Sequence, residues 1–153
     1  MIGGHGRLSL REFPSTVRFR SSTLKCEHES QLMRAAILLI AHGSRVDAAN
    51  ADLRKLAAMI SERIPEAIVE YAYLELAEPS IPDGLEACVE RGAEEVRMLP
   101  WFLSAGSHVT RDLEANRRRF IEKHPAIECS LCPPLGLHPL MIELVLARLE
   151  ETF

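Results

Sequence analysis

The sequence predicts an α/β domain in which a four-stranded parallel sheet carries helices on both faces. The chain has 153 residues, a length typical of one domain. Its continuous apolar runs suit strands that are buried on both sides, as the strands of parallel sheets are. These runs alternate with amphipathic segments, and that alternation implies right-handed crossovers between parallel strands.

The four predicted strands are short runs rich in apolar and β-branched residues. They cover residues 36–41 (AILLIA), 68–73 (IVEYAY), 95–102 (EVRMLPWF) and 127–131 (IECSL). The sequence does not reveal the order of these strands in the sheet.

The four predicted helices have apolar residues at helical spacing and recognisable ends. They cover residues 46–64, a segment opened by Pro79 and Ser80 and capped by Gly92, residues 109–123, and residues 139–150. Pro139 suits the first turn of the last helix. We expect the apolar side chains of that helix to face inward, namely Ile142, Val145, Leu146 and Leu149.

Residues 1–32 differ from the rest because they are rich in Gly, Ser and Arg and show no sustained period. We expect a flexible N-terminal tail, for which an over-long start site is the alternative explanation, followed by one domain over residues 33–153. His5 and His28 lie in this segment, and we expect neither to be catalytic.

The composition argues against several classes of partner. The net charge is −4 and the pI is about 5.9, whereas nucleic-acid-binding domains usually have a basic face. No apolar run approaches the roughly 20 residues that span a bilayer. We therefore expect no nucleic-acid partner, no membrane partner and a cytoplasmic location.

Cys129 and Cys132 form a C-x-x-C pattern, which could be a redox pair or half of a zinc site. A structural zinc site needs four ligands, and the sequence has no second C-x-x-C. Pro133 and Pro134 oppose the helix that a thioredoxin-like pair would open. We favour small apolar residues at a strand end in a reducing cytoplasm.

Chemically useful side chains follow the strands at the sheet edge where open parallel α/β sheets bind ligands. The groups that follow the four strands in turn are His42; Glu75; Ser104, Gly106, Ser107 and His108; and His138. Two imidazoles and a carboxylate suit a borderline divalent metal such as cobalt, nickel, iron or zinc. Histidine titrates near neutrality, so it can also accept protons.

Less specific roles stay open for several of these groups. His138 precedes Pro139 and could simply cap the last helix. Glu75 is as compatible with a solvated loop as with a ligand, and Glu78 suits a helix start. Arg45 could bind a substrate carboxylate or be merely exposed.

Four segments of the chain resemble the CbiX/SirB-type sirohydrochlorin chelatases, which insert metal ions into a tetrapyrrole. These segments are LLIAHGSR, AYLELAEPSI, LPWFLSAGSHVTRDL and PLGLHPLMIELV. They occur in the right order at the predicted strand ends, and the resemblance runs from about residue 35 to the end.

The resemblance implies a flavodoxin-like chelatase half-domain that pairs as a homodimer to hold the macrocycle. It implies that His42 and His108 bind metal and act as catalytic groups, with Glu75 assisting. Sirohydrochlorin is then one substrate and a divalent metal ion the other, with Co²⁺ favoured over Fe²⁺ or Ni²⁺ and no organic cofactor. We expect the remaining edge residues to bind the tetrapyrrole, namely Arg45, Ser104, Gly106 and Ser107.

Other interpretations compete with this one. A histidine-phosphatase-like enzyme could use the His42-Gly43 element, but such sites usually have Arg directly before the His, where this chain has Ala41. A non-enzymatic metal or tetrapyrrole carrier would use the same residues without turnover. The three arginines at residues 117–119 are interpreted as a solvated helix face, although sirohydrochlorin-like substrates are acidic.

Overall fold

A computed structural model describes residues 34–104 and 106–151, and it confirms the predicted α/β architecture. The strands are β1 (Ala35–Ala41), β2 (Ile68–Tyr73), β3 (Glu95–Pro100) and β4 (Glu128–Leu131). The helices are α1 (Asp47–Arg63), α2 (Ile81–Glu90), α3 (Ser107–Lys123) and α4 (Pro139–Glu150). The tail expected over residues 1–32, with His5 and His28, lies outside the described residues.

Two predicted boundaries are wrong by two residues, both at the β3–α3 connection. The strand predicted over residues 95–102 ends at Pro100, because the Trp101 N–H makes the last bond to β1, donating to the Ile40 carbonyl at 2.7 Å. The helix predicted from residue 109 already begins at Ser107, after Gly106 in the extended N-cap position. The connection is therefore displaced by two residues towards the N-terminus, from residues 103–108 to residues 101–106, and its length is unchanged.

The strands are all parallel and lie in the order β2-β1-β3-β4. β1 pairs with β2 on one side and with β3 on the other, so it is enclosed along its edges as well as on its faces. Leu38, Leu39 and Ile40 are accordingly 0% exposed. This position explains why β1 is apolar at consecutive positions.

Helices cover both faces of the sheet and form two separate apolar cores. On one face, Leu85 of α2 and Leu113 and Phe120 of α3 pack with Leu38 and Met98 of the sheet. On the other face, α1 provides the helical side of the core. That second core contains Leu39, Leu53, Ala57, Val69 and Tyr73.

α4 does not join either core, so the prediction that its apolar side chains face inward is wrong. None of its residues is buried, and the exposed fractions of its predicted inward residues are large. They are 63% for Ile142, 53% for Val145, 53% for Leu146 and 73% for Leu149.

A physical reason for this lies on β3. Its residues alternate, with Val96 and Met98 facing the α2–α3 core, while Glu95 and Arg97 occupy the other face. Arg97 Nε lies 2.6 Å from Glu95 Oε1, and an apolar helix gains little by covering such an ion pair. Although α4 is apolar, no helix in the described part of the chain is long and apolar enough to cross a membrane.

The cysteines of the described domain are free thiols, as the structural interpretation of the C-x-x-C pattern requires. Cys129 lies on β4 and is buried, and Cys132 follows the strand and is half-buried. Burial raises the pKa of the Cys88 thiol to about 12 and that of Cys129 to about 11. Neither buried thiol is therefore poised as a nucleophile at neutral pH.

Candidate active site

His42 and Glu75 meet just beyond the carboxyl ends of β1 and β2, because the parallel pairing continues past the strands. The Leu74 N–H donates to the Ala41 carbonyl at 2.9 Å, and the Glu75 N–H donates to the His42 carbonyl at 3.0 Å. His42 Nε2 consequently lies 2.9 Å from Glu75 Oε1. The side chains are 57% and 55% exposed, so this contact contributes little to stability and both groups stay open to the solvent.

Gly43 allows this close approach, a role that the sequence analysis missed. Its φ is +93°, and a Cβ at this position would lie 1.9 Å from the Glu75 carbonyl oxygen. Any side chain would therefore collide with the backbone that carries Glu75. The His-Gly pair directly after a buried strand was the signal that could have identified the residue.

Asn50 fixes the loop that carries His42, and it too was missed. It is the buried polar residue of α1, and its amide both accepts from the Ser44 N–H at 3.0 Å and donates to the Ser44 carbonyl at 2.8 Å. The Tyr73 hydroxyl donates to the Asn50 carbonyl at 2.9 Å, and burial raises the pKa of that phenol. The signal was an amide on the apolar face of a predicted helix.

His108 lies in the first turn of α3 and shares one open cavity with the His42–Glu75 pair. The cavity has a volume of about 390 Å³. Its polar and charged lining in the described residues consists of His42, Glu75, His108, Asp112, Asn116 and Arg119. The structure thus brings together the three residues that the sequence analysis placed at the centre of the site, and it adds three residues from α3.

Four other predicted residues lie at the same edge but outside the described lining of this cavity. Arg45 is exposed in the loop before α1, and Ser104 is exposed in the loop after β3. Gly106 is the N-cap of α3, and Ser107 is its first residue. Their contact with substrate remains a prediction.

His138 has a structural role, as one of its two interpretations proposed. It occupies the N-cap of α4, where its Nδ1 accepts a hydrogen bond from the Leu140 N–H at 3.2 Å. This bond satisfies one of the free backbone donors at the helix start.

The two histidines and Glu75 form an open site rather than a closed metal cage. Among residues 34–104 and 106–151, no group of three or more His, Cys, Asp or Glu side chains surrounds a common point. A carboxylate oxygen so close to His42 Nε2 favours hydrogen on that nitrogen, which leaves the Nδ1 lone pair free. The arrangement can therefore hold a cation transiently and accept protons.

A family model identifies the chain's relatives. The CbiX model matches residues 36–152, which is nearly the whole described domain. The chain belongs to the CbiX family. This CbiX-family chain is 35% identical over 115 residues to the chloroplastic sirohydrochlorin ferrochelatase of Arabidopsis thaliana, covering 75% of the chain and 51% of that relative. It is 32% identical over 116 residues to a sirohydrochlorin cobaltochelatase of Priestia megaterium, covering 76% of the chain and 38% of that relative.

The fold of the CbiX-family chain is also similar to a solved chelatase. The sirohydrochlorin chelatase SirB from Bacillus subtilis subspecies spizizenii, solved in complex with cobalt, matches with a TM-score of 0.71 and 30% identity. The match covers 77% of this chain and 50% of SirB. The chain thus spans about half the length of the first curated relatives it matches, 51% and 46% of them.

Proposed function

We propose that this CbiX-family protein is a sirohydrochlorin chelatase, which inserts a divalent metal ion into the tetrapyrrole. The observation that carries the proposal is the His42–Glu75 pair, at 2.9 Å, facing the same open cavity as His108. Metal insertion needs ligands that hold the ion briefly and groups that accept protons, and imidazole and carboxylate side chains provide both. Relatives in the same family are named for this activity.

In the proposed mechanism, His42 and His108 hold the incoming ion, and Glu75 adds negative charge beside it. Entry of a divalent ion releases the two pyrrole N–H protons of the macrocycle, so charge balance requires acceptors for both. Glu75 can accept one proton, and His42 Nδ1 can accept the other once the ion has left it for the macrocycle. Both side chains are more than half exposed and can pass these protons to water. The reaction uses no organic cofactor, because neither bond formation nor proton transfer requires one.

Co²⁺ is the metal we favour as substrate, with Fe²⁺ and Ni²⁺ as alternatives. The preference depends on the resemblance to the cobaltochelatase branch, because the relatives themselves include both a ferrochelatase and a cobaltochelatase and do not choose between these ions. Imidazole and carboxylate ligands suit all three ions, and intrinsic affinity does not reveal the biological choice. We also propose that the protein acts in the cytoplasm.

We further propose that the chain works as a homodimer in which α4 contributes to the interface. An exposed apolar surface of this kind marks an interaction site in soluble proteins. α4 exposes Leu140, Ile142 and Leu146 by 59%, 63% and 53%. A second copy would cover this surface and add a second half to the open cavity.

Sedimentation measurements test the homodimer. The wild-type protein should have twice the mass of one 17.1 kDa chain, and Leu146→Lys should shift it towards monomer. Met59→Lys on α1 is the matched control, because it places the same charge on an apolar residue that is 65% exposed. A monomeric wild-type protein, or equal dissociation of both variants, would contradict the proposed interface.

An anaerobic absorbance assay tests the reaction itself. Purified protein is mixed with sirohydrochlorin and then with Co²⁺, Fe²⁺ or Ni²⁺, and the spectral change of the macrocycle is compared with a protein-free control. The proposal expects clear acceleration with at least one ion, most with Co²⁺. Binding of sirohydrochlorin without acceleration by any ion would replace the enzyme with the carrier interpretation.

A further inference from the structure

Three consecutive arginines on α3 differ in their surroundings. Arg117 donates two hydrogen bonds to the Glu114 carboxylate, from Nε at 2.8 Å and from Nη2 at 2.6 Å. Its Nη1 also donates to the Cys129 carbonyl at 3.1 Å. Arg118 donates to the same Glu114 at 3.2 Å. Arg119 makes no such ion pair within the described residues, and it lines the cavity that contains His42 and His108.

Helix geometry explains this division. Successive residues of an α-helix are rotated by about 100°, so His108, Asp112 and Arg119 fall within roughly 40° of one another. Glu114 and Arg118 lie on the opposite flank of α3. The single acidic residue of that flank therefore binds the two arginines nearest to it and leaves the third on the cavity side.

Arg119 is too far from the histidines to contact a group at the centre of a ligand that they hold, but it is close enough to contact a group at the edge of that ligand. Its Cα is about 16 Å from that of His108 along the helix, from a rise of about 1.5 Å per residue. Long helical side chains lean towards the helix N-terminus, which brings the guanidinium back towards the carboxyl edge of the sheet. A metal ion held by the histidines would lie well beyond its reach, whereas a peripheral group would not.

The charge of the cavity lining indicates what kind of group this is. Among the described lining residues, Arg119 is the one arginine or lysine, and Asp112 is a neighbouring acid. The Asn116 side-chain amide already donates to the Asp112 carbonyl at 2.9 Å. Arg119 is thus the group in this lining best able to bind an anion, and a guanidinium binds a carboxylate through two parallel hydrogen bonds.

We propose that Arg119 is a specificity-determining residue that binds a peripheral carboxylate of the tetrapyrrole while His42, Glu75 and His108 act at the ring centre. The inference depends on the proposed function for the identity of the ligand. It predicts that the protein selects acidic macrocycles over those whose carboxylates are esterified.

The test compares Arg119→Gln with Arg118→Gln, which removes the same charge from the neighbouring residue of the same helix. Equilibrium binding of sirohydrochlorin is followed by absorbance, alongside KM and kcat for metal insertion. Arg119→Gln should weaken binding and raise KM about tenfold, with kcat within about twofold, because an exposed charged hydrogen bond is lost away from the reacting atoms. Arg119→Lys should recover part of the affinity, and Arg118→Gln should behave as wild type.

A sirohydrochlorin methyl ester provides the second readout, because wild type and Arg119→Gln should bind it equally. Equal binding of sirohydrochlorin by wild type and Arg119→Gln would overturn the proposal even if insertion proceeds. An equal loss in Arg118→Gln would also overturn it, since general electrostatics would then explain the effect. Arg119-dependent binding without insertion would instead retain this subsite and refute the proposed reaction.

Discussion

Replacing Gly43 with alanine should separate His42 from Glu75. The new Cβ would lie 1.9 Å from the Glu75 carbonyl oxygen and 3.1 Å from the Glu75 carbonyl carbon, whereas real Cβ contacts do not fall below 3.0 Å. The backbone that carries Glu75 must therefore retreat by about 1 Å. That movement breaks the hydrogen bond from the Glu75 N–H to the His42 carbonyl, now 3.0 Å long.

The stability cost has two parts. An L-residue at φ +93° costs about 1–2 kcal/mol, and the lost hydrogen bond costs about 1 kcal/mol, so Gly43→Ala should be less stable by about 2–3 kcal/mol. A misplacement of about 1 Å in a catalytic group can slow a reaction about 100-fold. Urea unfolding measures the first effect, and the rate of metal insertion measures the second.

Gly92→Ala is the matched control for this experiment. Gly92 has φ +84°, but a Cβ there would meet only the flexible Arg34 side chain, at 3.5 Å from Nη1 and 4.0 Å from Cδ, at the far edge of the sheet. Both variants should lose stability, but only Gly43→Ala should lose insertion activity. Full activity of Gly43→Ala, or the same loss in both variants, would refute the reasoning.

Three further predictions concern stability and reactivity. Asn50→Ala removes two hydrogen bonds to the loop after β1 and should lower the free energy of unfolding by about 1–3 kcal/mol; an unchanged urea midpoint would contradict this. The Arg117 guanidinium lowers the pKa of Glu114 from 4.5 to about 2. The stabilisation of the folded protein by the ionised Glu114 is therefore complete above pH 4.5 and is lost as the pH falls towards 2. Urea midpoints of wild type and Glu114→Gln should therefore converge in acid, and a constant difference would exclude this linkage. Alkylation of the native protein should modify Cys132 before Cys88, which is 0% exposed, and peptide mapping that shows the reverse order would be inconsistent with the packing.

The fold could be predicted because burial on both faces leaves a clear pattern in the sequence. β1 reads as a continuous apolar run because it lies between two strands and two layers of helices. α4 could not be placed in the same way. Periodicity identifies the apolar face of a helix, but the surface that this face contacts depends on other elements, here the ion-paired residues Glu95 and Arg97 of β3.

The meeting of His42, Glu75 and His108 at one edge of the sheet could be predicted because the carboxyl ends of parallel strands share that edge. The contact between His42 and Glu75 could not be predicted, because it depends on which strands are neighbours and on their register, and the sequence does not reveal that β1 pairs with β2. The roles of Gly43 and Asn50 depend on that same register and on the path of the loop. The sequence analysis treated Arg118 and Arg119 alike, as parts of one solvated helix face, because the side of the helix that lines the cavity is known only from the structure.

The most direct test of the central claim is single-turnover metal insertion by the double variant His42→Ala/His108→Ala. The variant should retain the circular dichroism spectrum and urea midpoint of wild type, because both side chains are exposed. Mixed anaerobically with sirohydrochlorin and Co²⁺, it should metallate the macrocycle no faster than the protein-free control, while wild type clearly exceeds that control. Insertion at the wild-type rate by the folded double variant would contradict the account and remove both histidines from the mechanism.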